Sequence, residues 1–396
     1  MKQRLDGLAV FRELLKDGAV AAFRELLQDC CRNDADNFVS HCGEFESLLF
    51  QQSDCWTAYL RRAVMESENV CIRNWASGAV TAVQEECLNR ELVFLDRLSQ
   101  VTLDDLTAGL DHAPDFLVGW RTEGGSIAQD YRQRMQEVGE KGYGIFARYH
   151  MFTVENGQLV PVKHPDPQQL KQLPGYEQER QKVIANTQAL LDGKPANNVL
   201  LYGDAGTGKS SAIKAIANNF AEQGLRLVEV KKNQLYQIPD LMDQLAANPL
   251  KFILFIDDLS FSSNDDNFAA LKAILEGSVG GRARNIAVYA TSNRRHLIRE
   301  TWNDRTDMEH NGDIHRSDTM EEKLSLASRF GVAINYNAPT PKEYQNIVRM
   351  LARRQGIDMD EKQLLAMANT WEVRHGGFSG RAAQQFIHYL EGLDKT

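Results

Sequence analysis

Basic residues are in the minority here: 45 Lys and Arg stand against 54 Asp and Glu, a formal charge of −9. Such a chain has no global attraction for phosphate backbones or anionic lipid, so nucleic acid could be held only by a local basic patch. No apolar run approaches the roughly 20 residues of a membrane-spanning helix, and no membrane partner is expected. Met1 to Val20 mix Lys, Arg, Asp and Glu into the apolar pattern, which excludes the unbroken apolar core of a secretory signal. A cytoplasmic location is the expectation. Cysteine is absent after position 87, and no pair among Cys30, Cys31, Cys42, Cys55, Cys71 and Cys87 has the two-residue spacing of a zinc knuckle. A metal site there, with His41, is outweighed by the ordinary use of free Cys as a small buried apolar residue.

What is present is a 396-residue chain with 43% hydrophobic and 25% charged residues, enough for two or three globular domains. From Met1 to about Val138 apolar residues recur at three- and four-residue spacing, as in Leu8, Phe11, Leu14, Leu15 and again in Leu88, Leu92, Leu95, Leu98. That periodicity predicts amphipathic helices, broken at Asp111, Pro114 and Gly124-Gly125. Two β-rich runs follow, Ile145 to Val154 and Leu159 to Val162, and the Glu155-Asn156-Gly157 between them signals a hairpin. His164 to Gln168, with two prolines, reads as a linker.

Beyond it a helix is expected at about Glu177 to Leu191. Strands are expected at Val199–Tyr202, Leu225–Val230, Phe252–Ile256, Ile286–Thr291 and Val332–Tyr336, with helices between them. Apolar strands alternating with helices imply a parallel sheet covered on both faces. From Thr340 only helical periodicity remains. The expected division is a mostly helical region 1–165 ending in the hairpin, an α/β core 166–338 and a helical lid 339–396.

The strongest local signal is Gly203-Asp204-Ala205-Gly206-Thr207-Gly208-Lys209-Ser210, which fits the P-loop pattern of Gly, four residues, Gly-Lys-Ser/Thr. A strand precedes it and a helix-prone stretch beginning at Ser211 follows. Glycines there let backbone N–H groups wrap a phosphate at a helix N-terminus, where partial positive charge accumulates. Lys209 would reach the β and γ phosphates, and the Ser210 hydroxyl would ligate Mg²⁺. Phe252 to Ile256 then delivers Asp257 and Asp258 to the edge of the sheet where open α/β sheets bind ligands. Asp257 fits the second Mg²⁺ ligand, and Asp258 fits the group that orients or deprotonates an attacking water. Asn293, just past the next strand, could hold that water or the γ-phosphate. No Asn-Lys-x-Asp follows this strand, which argues against GTP and for ATP.

These motifs, in this order, resemble those of AAA+ ATPases. The stretches Lys194 to Gly203, Ile256 to Phe261, Ala290 to Leu297 and Glu322 to Gly331, with Tyr176 upstream, resemble the DUF815 family of bacterial AAA+ ATP-binding proteins over about Gly142 to Leu393. The resemblance implies an α/β P-loop NTPase core with a helical lid. It makes Asn293 the first sensor, Arg329 in Ser328-Arg329-Phe330 the finger to a neighbouring subunit's nucleotide, and Arg381 in Gly377-Phe378-Ser379-Gly380-Arg381 the second sensor. Tyr176 falls where such proteins line the adenine pocket, and Arg294 and Arg295 are alternative fingers. One departure stands out: many AAA+ proteins have Glu where this chain has Asp258, as initiators and helicase loaders do not.

The function so implied is Mg²⁺-dependent ATP hydrolysis at the interface of a homo-oligomer, a ring or open ring, that remodels a protein partner through the N-terminal region. The alternative is an ATP-gated loader or switch on a DNA-associated complex; a small-molecule kinase fits the arginine pattern less well. His310 and His315, in the polar stretch Thr301 to Glu321, lack the frame of a metal site. The basic clusters Lys231-Lys232 and Arg282-Ala283-Arg284 lack the interleaved aromatics of a nucleic-acid platform.

Overall fold

A computed structural model describes residues 1–111, 115–261, 267–276, 283–293 and 328–393. Arg294, Arg295, the stretch Thr301 to Glu321 and the Glu322 to Ala327 part of the resemblance lie outside the described residues. The chain divides into two compact units, Met1–Arg148 and Tyr149–Thr396.

The first unit is helical, its longest helices spanning Gly18–Arg32, Ala35–Phe50, Trp56–Glu66 and Ala82–Leu98. Side chains that accept from backbone N–H groups of the first turn open most of these segments: Asp17 takes Val20 N, Asp34 takes Asn37 N, and Thr81 forms a reciprocal pair with Gln84. The core is aromatic. Phe23 stacks on Trp56 with centroids 4.7 Å apart, and Phe45 meets Trp120 edge-on at 4.7 Å. Such pairs contribute about 0.5–1.5 kcal/mol each beyond the area they bury.

One buried carboxylate, Glu91, is fully used: its oxygens accept the N–H groups of Ala9, Val10 and Phe11 at 2.7–3.1 Å. All six cysteines are free thiols, and burial pushes Cys30 up to about 11 and Cys42 up to about 12. Among the described residues no three metal-binding side chains come together, and no helix is long and apolar enough to cross a membrane.

The second unit is built on a seven-stranded sheet: β1 (Met151–Glu155), β2 (Gln158–Pro161), β3 (Val199–Gly203), β4 (Leu225–Glu229), β5 (Lys251–Ile256), β6 (Ile286–Ser292) and β7 (Val332–Tyr336). Its order is β2-β1-β4-β5-β6-β3-β7. Only the β1–β2 hairpin is antiparallel, turning through Asn156 and Gly157 at φ 50° and 77°, the pair of left-handed residues such a turn requires. β5 and β6 are buried along almost their whole length, as expected where helices cover both faces.

Three expectations change here. The hairpin does not close the N-terminal region; β1 pairs in parallel with β4 and extends the core sheet, with Met151 and Phe152 opposite the apolar Leu227 and Val228. The run from Ile145 begins as a helical turn, Ile145–Arg148, that belongs to the first unit. The proline-containing segment expected as a linker is also anchored, since Asn218 Nδ2 donates to the carbonyls of Asp166 and Gln168 at 2.8 Å each.

Helix Glu177–Leu191 and helix Lys209–Phe220 lay Val183, Leu190, Ile213 and Ile216 against the sheet residues Leu201, Ile253, Tyr289 and Ile334. The last three helices, Pro341–Gln355, Glu361–Arg374 and Gly380–Leu393, share their own core of Tyr344, Val348, Leu364, Phe386 and Ile387. Thr340 and Glu343 cap the first of them reciprocally, with Pro341 at its first position.

Candidate functional site

Parallel pairing puts the ends of β3, β5 and β6 on one edge, and β6 lies between the other two. The turn after β3 runs directly into the helix that starts at Lys209. Its three glycines have φ of 130°, 76° and 89°, at Gly203, Gly206 and Gly208. At Gly203 glycine is obligatory: a Cβ would sit 2.3 Å from the Tyr336 carbonyl oxygen. Lys209 is 6% exposed, and its Nζ donates to the carbonyls of Gly203 (3.0 Å) and Asp204 (2.7 Å) and to Asn293 Oδ1 (3.1 Å). Burial holds its ammonium below the usual lysine range, while Asp204, Asp258 and Asp257 oppose that shift.

The acidic strand tip meets this turn through hydroxyls. Asp257 Oδ1 accepts from Ser210 Oγ at 2.6 Å and from Thr291 Oγ1 at 2.5 Å. Thr291 Oγ1 in turn accepts the backbone N–H of Asp258 at 3.0 Å. Asp258 adopts φ 50°, a left-handed conformation that costs about 1–3 kcal/mol away from glycine and is found where function over-determines the backbone. There its Oδ1 accepts from Asn293 Nδ2 at 2.8 Å. A continuous polar chain therefore links Ser210, Asp257, Thr291, Asp258, Asn293 and Lys209. The Ser210 hydroxyl and the Asp257 carboxylate are hard oxygen donors on one point, a set that suits Mg²⁺ completed by water and phosphate oxygens.

These groups line a cleft of about 630 Å³ that also takes in the lid. Of the residues expected at the site, Tyr176, Ala205, Gly206, Thr207, Gly208, Lys209, Ser210, Ser211, Asp257, Asp258, Asn293 and Arg381 all line it. Arg381 is tied in by its own N–H, which donates to the Gly206 carbonyl at 3.1 Å. Three expected residues do not. Gly203 is closed off by Tyr336, and Asp204 spends its carboxylate on Ala338 N at 2.6 Å, clipping the turn to the end of β7. Arg329 precedes β7, whose register with β3 pairs Val332 with Val199 and Tyr336 with Gly203. Arg329 thus lies at the sheet edge opposite the cleft, separated by about 15 Å of strand at roughly 3.3 Å per residue.

Sequence reasoning missed Thr291, Tyr336 and Arg180. Tyr336 stacks on Tyr176 at 5.0 Å between centroids, and Tyr176 Oη donates to the Asn337 carbonyl at 2.6 Å. The only sequence signal for Thr291 is a hydroxyl ending a buried strand beside the strand that carries the Asp pair.

The profile of the family described as "Protein of unknown function (DUF815)" matches residues 146–394. An AAA-ATPase of Arabidopsis thaliana is 30% identical over 176 residues, 41% of this chain and 31% of its own length. The replication factor C large subunit of Methanococcus maripaludis is 23% identical over 232 residues, 57% of this chain and 40% of its own. The chain thus spans less than half the length of these curated relatives. Among solved structures, a mutant of Thermotoga maritima RuvB aligns over 57% of this chain and 64% of its own, at 19% identity and TM-score 0.37. Because the matched profile covers well over half of its residues, the chain belongs to the DUF815 family of AAA+ proteins.

Proposed function

We propose that this chain binds ATP with Mg²⁺ in the cleft and hydrolyses it at the interface of a cytoplasmic homo-oligomer, so remodelling a partner protein. The observation that carries the reading is the 2.6 Å contact between Ser210 Oγ and Asp257, which joins the phosphate-loop pattern to the acidic strand tip at one point. Mg²⁺ held there would neutralise charge on the β and γ phosphate oxygens. Lys209, already beside the turn, needs only to exchange its carbonyl partners for phosphate oxygens. Asp258 would accept a proton from water and Asn293 would orient that water; the 2.8 Å bond from Asn293 Nδ2 to Asp258 Oδ1 supports their acting together.

Arg329 supports the oligomer. It precedes β7, away from the cleft of its own chain, which fits a guanidinium that would serve a neighbour's nucleotide, where one in trans contributes about 10³–10⁵ in rate. Arg381 supports coupling, because it reaches the phosphate turn from the lid, so lid closure and phosphate contact move together. The first unit is then the natural region to engage a protein partner.

A second reading, an ATP-gated loader or switch on a DNA-associated complex, is favoured by Asp258 in place of Glu and by the kinship with a replication factor C subunit. Stimulation of ATPase activity by DNA, falling steeply with salt, would select it; no stimulation at low salt would discard it. The primary test uses two variants. Lys209→Ala is expected to lose ATP binding, and Asp258→Asn to bind ATP without turning it over. Normal hydrolysis by either variant would refute the assigned roles.

A further inference from the structure

The last helix, Gly380–Leu393, has two unlike faces. Ala382, Ala383, Phe386, Ile387 and Leu390 are buried in the core of the lid. Arg381, Gln384, Gln385 and His388 line the cleft instead. Steps of three and four residues gather these four polar side chains into one stripe. Gln384 is half-buried and the other three are exposed, so each is reachable by a ligand held in the cleft. Arg381 has a role by resemblance, whereas Gln384, Gln385 and His388 have none.

Two members of the stripe are already organised. Gln384 Nε2 and His388 Nε2 lie 2.8 Å apart. An amide nitrogen only donates, so the imidazole nitrogen accepts and the ring proton sits on Nδ1. The pair therefore keeps Gln384 Oε1 as an acceptor, with a second amide N–H and the His388 Nδ1–H as donors. Such a mixed set matches neighbouring hydroxyls, each of which donates one bond and accepts another. Phosphate oxygens, which only accept, suit the cations Lys209 and Arg381 better.

Position along the helix agrees with a sugar. Arg381 N donates to the Gly206 carbonyl at 3.1 Å, which pins the start of the helix to the phosphate turn. At a rise of 1.5 Å per residue, Gln384 lies about 4.5 Å and His388 about 10 Å farther along. One to two helical turns is the reach of a sugar whose phosphates sit in that turn. Resting on the ATP reading, we infer that Gln384 and His388 bind the ribose hydroxyls of the nucleotide and determine specificity for ribonucleotides over deoxyribonucleotides. Lid closure then engages the sugar through this pair while Arg381 meets the phosphates.

Calorimetric titration of the full-length protein in Mg²⁺ with ATP, 2′-deoxy-ATP and 3′-deoxy-ATP isolates the hydroxyls from the base and the phosphates. The wild type should bind ATP about 5–10-fold more tightly than at least one deoxy form. Gln384→Ala and His388→Ala change accessible helix positions where alanine is favourable, so both variants should melt as the wild type does. Each should bind ATP only as tightly as that deoxy form, while its affinity for the deoxy form itself stays at the wild-type value. Equal affinity of the wild type for all three nucleotides would overturn the inference and leave the ATP reading standing. Equal weakening of ATP and both deoxy forms in the variants would also overturn it, making the pair a base contact or a strut of the lid. If the wild type bound none of the three, the ATP reading itself would fall and the inference with it.

Discussion

Thr291→Val is the most revealing small change in the site. The substitution keeps the shape of the side chain and a buried position, 2% exposed, but deletes a hydroxyl that donates to Asp257 at 2.5 Å and accepts from Asp258 N at 3.0 Å. Hydrogen bonds to a charged group contribute about 1.5–3 kcal/mol. The Asp258 N–H keeps a second acceptor, Asp257 Oδ1 at 3.1 Å, so only part of its bond is lost. A destabilisation of about 2 kcal/mol follows, which in a unit of this size lowers its melting temperature by about 4–8 °C.

The consequence for the site should exceed that for the fold. Without the hydroxyl, the Asp258 N–H keeps one longer bond, to Asp257 Oδ1 at 3.1 Å, so the left-handed backbone at Asp258 is held less tightly and the aim of its side chain at Asn293 loosens. Turnover should therefore drop by at least tenfold while ATP affinity changes little. Thr291→Ser, which keeps the hydroxyl and removes one methyl, should restore turnover at a stability cost of about 1 kcal/mol. Calorimetry of unfolding with parallel ATPase assays would decide the matter. A Val variant with wild-type melting and turnover would refute the bridging role of Thr291.

Other expectations are equally direct. Gly203→Ala should destabilise the second unit by at least ~3 kcal/mol, because its Cβ meets main-chain atoms of Tyr336, whereas Gly208→Ala, with open space around it, should cost only ~1–2 kcal/mol of left-handed strain; denaturant midpoints compare them. His41 donates to buried Asp29 at 2.6 Å, and that bond, with Glu25 and Glu44 nearby, holds its imidazolium above the ordinary value of 6.5. The resulting stability is fully present below pH 6.5 and is lost as pH rises through the folded value. Urea midpoints of the wild type should fall over that window and those of His41→Gln should stay flat. Finally, Arg329→Ala and Lys209→Ala subunits, each inactive alone, should recover ATPase activity when mixed; intact assembly without recovery would move the finger to Arg294 or Arg295.

The sheet strands were legible because buried parallel strands write themselves as apolar runs, and β3, β5, β6 and β7 fall within a residue of their expected bounds. The phosphate turn was legible because its glycines and Lys209 must occur at fixed spacing. What stayed hidden is what depends on pairing at a distance. The hairpin of β1 and β2 looks the same in sequence whether it closes one unit or extends the sheet of the next. Asp258 at positive φ and Thr291 as a bridge emerge only when β6 lies beside β5. In the first unit, Glu91 would pass as a charge on a helix surface, yet it is the acceptor for three consecutive backbone N–H groups from the chain's first turns.

The most direct measurement is calorimetric titration of the full-length protein with ATP in Mg²⁺, set against Lys209→Ala. Saturable uptake of one nucleotide per chain by the wild type, abolished in the variant and weakened when Mg²⁺ is removed, is the expected result. Well-folded wild-type protein that takes up no nucleotide, or a Lys209→Ala variant that binds as tightly as the wild type, would contradict it.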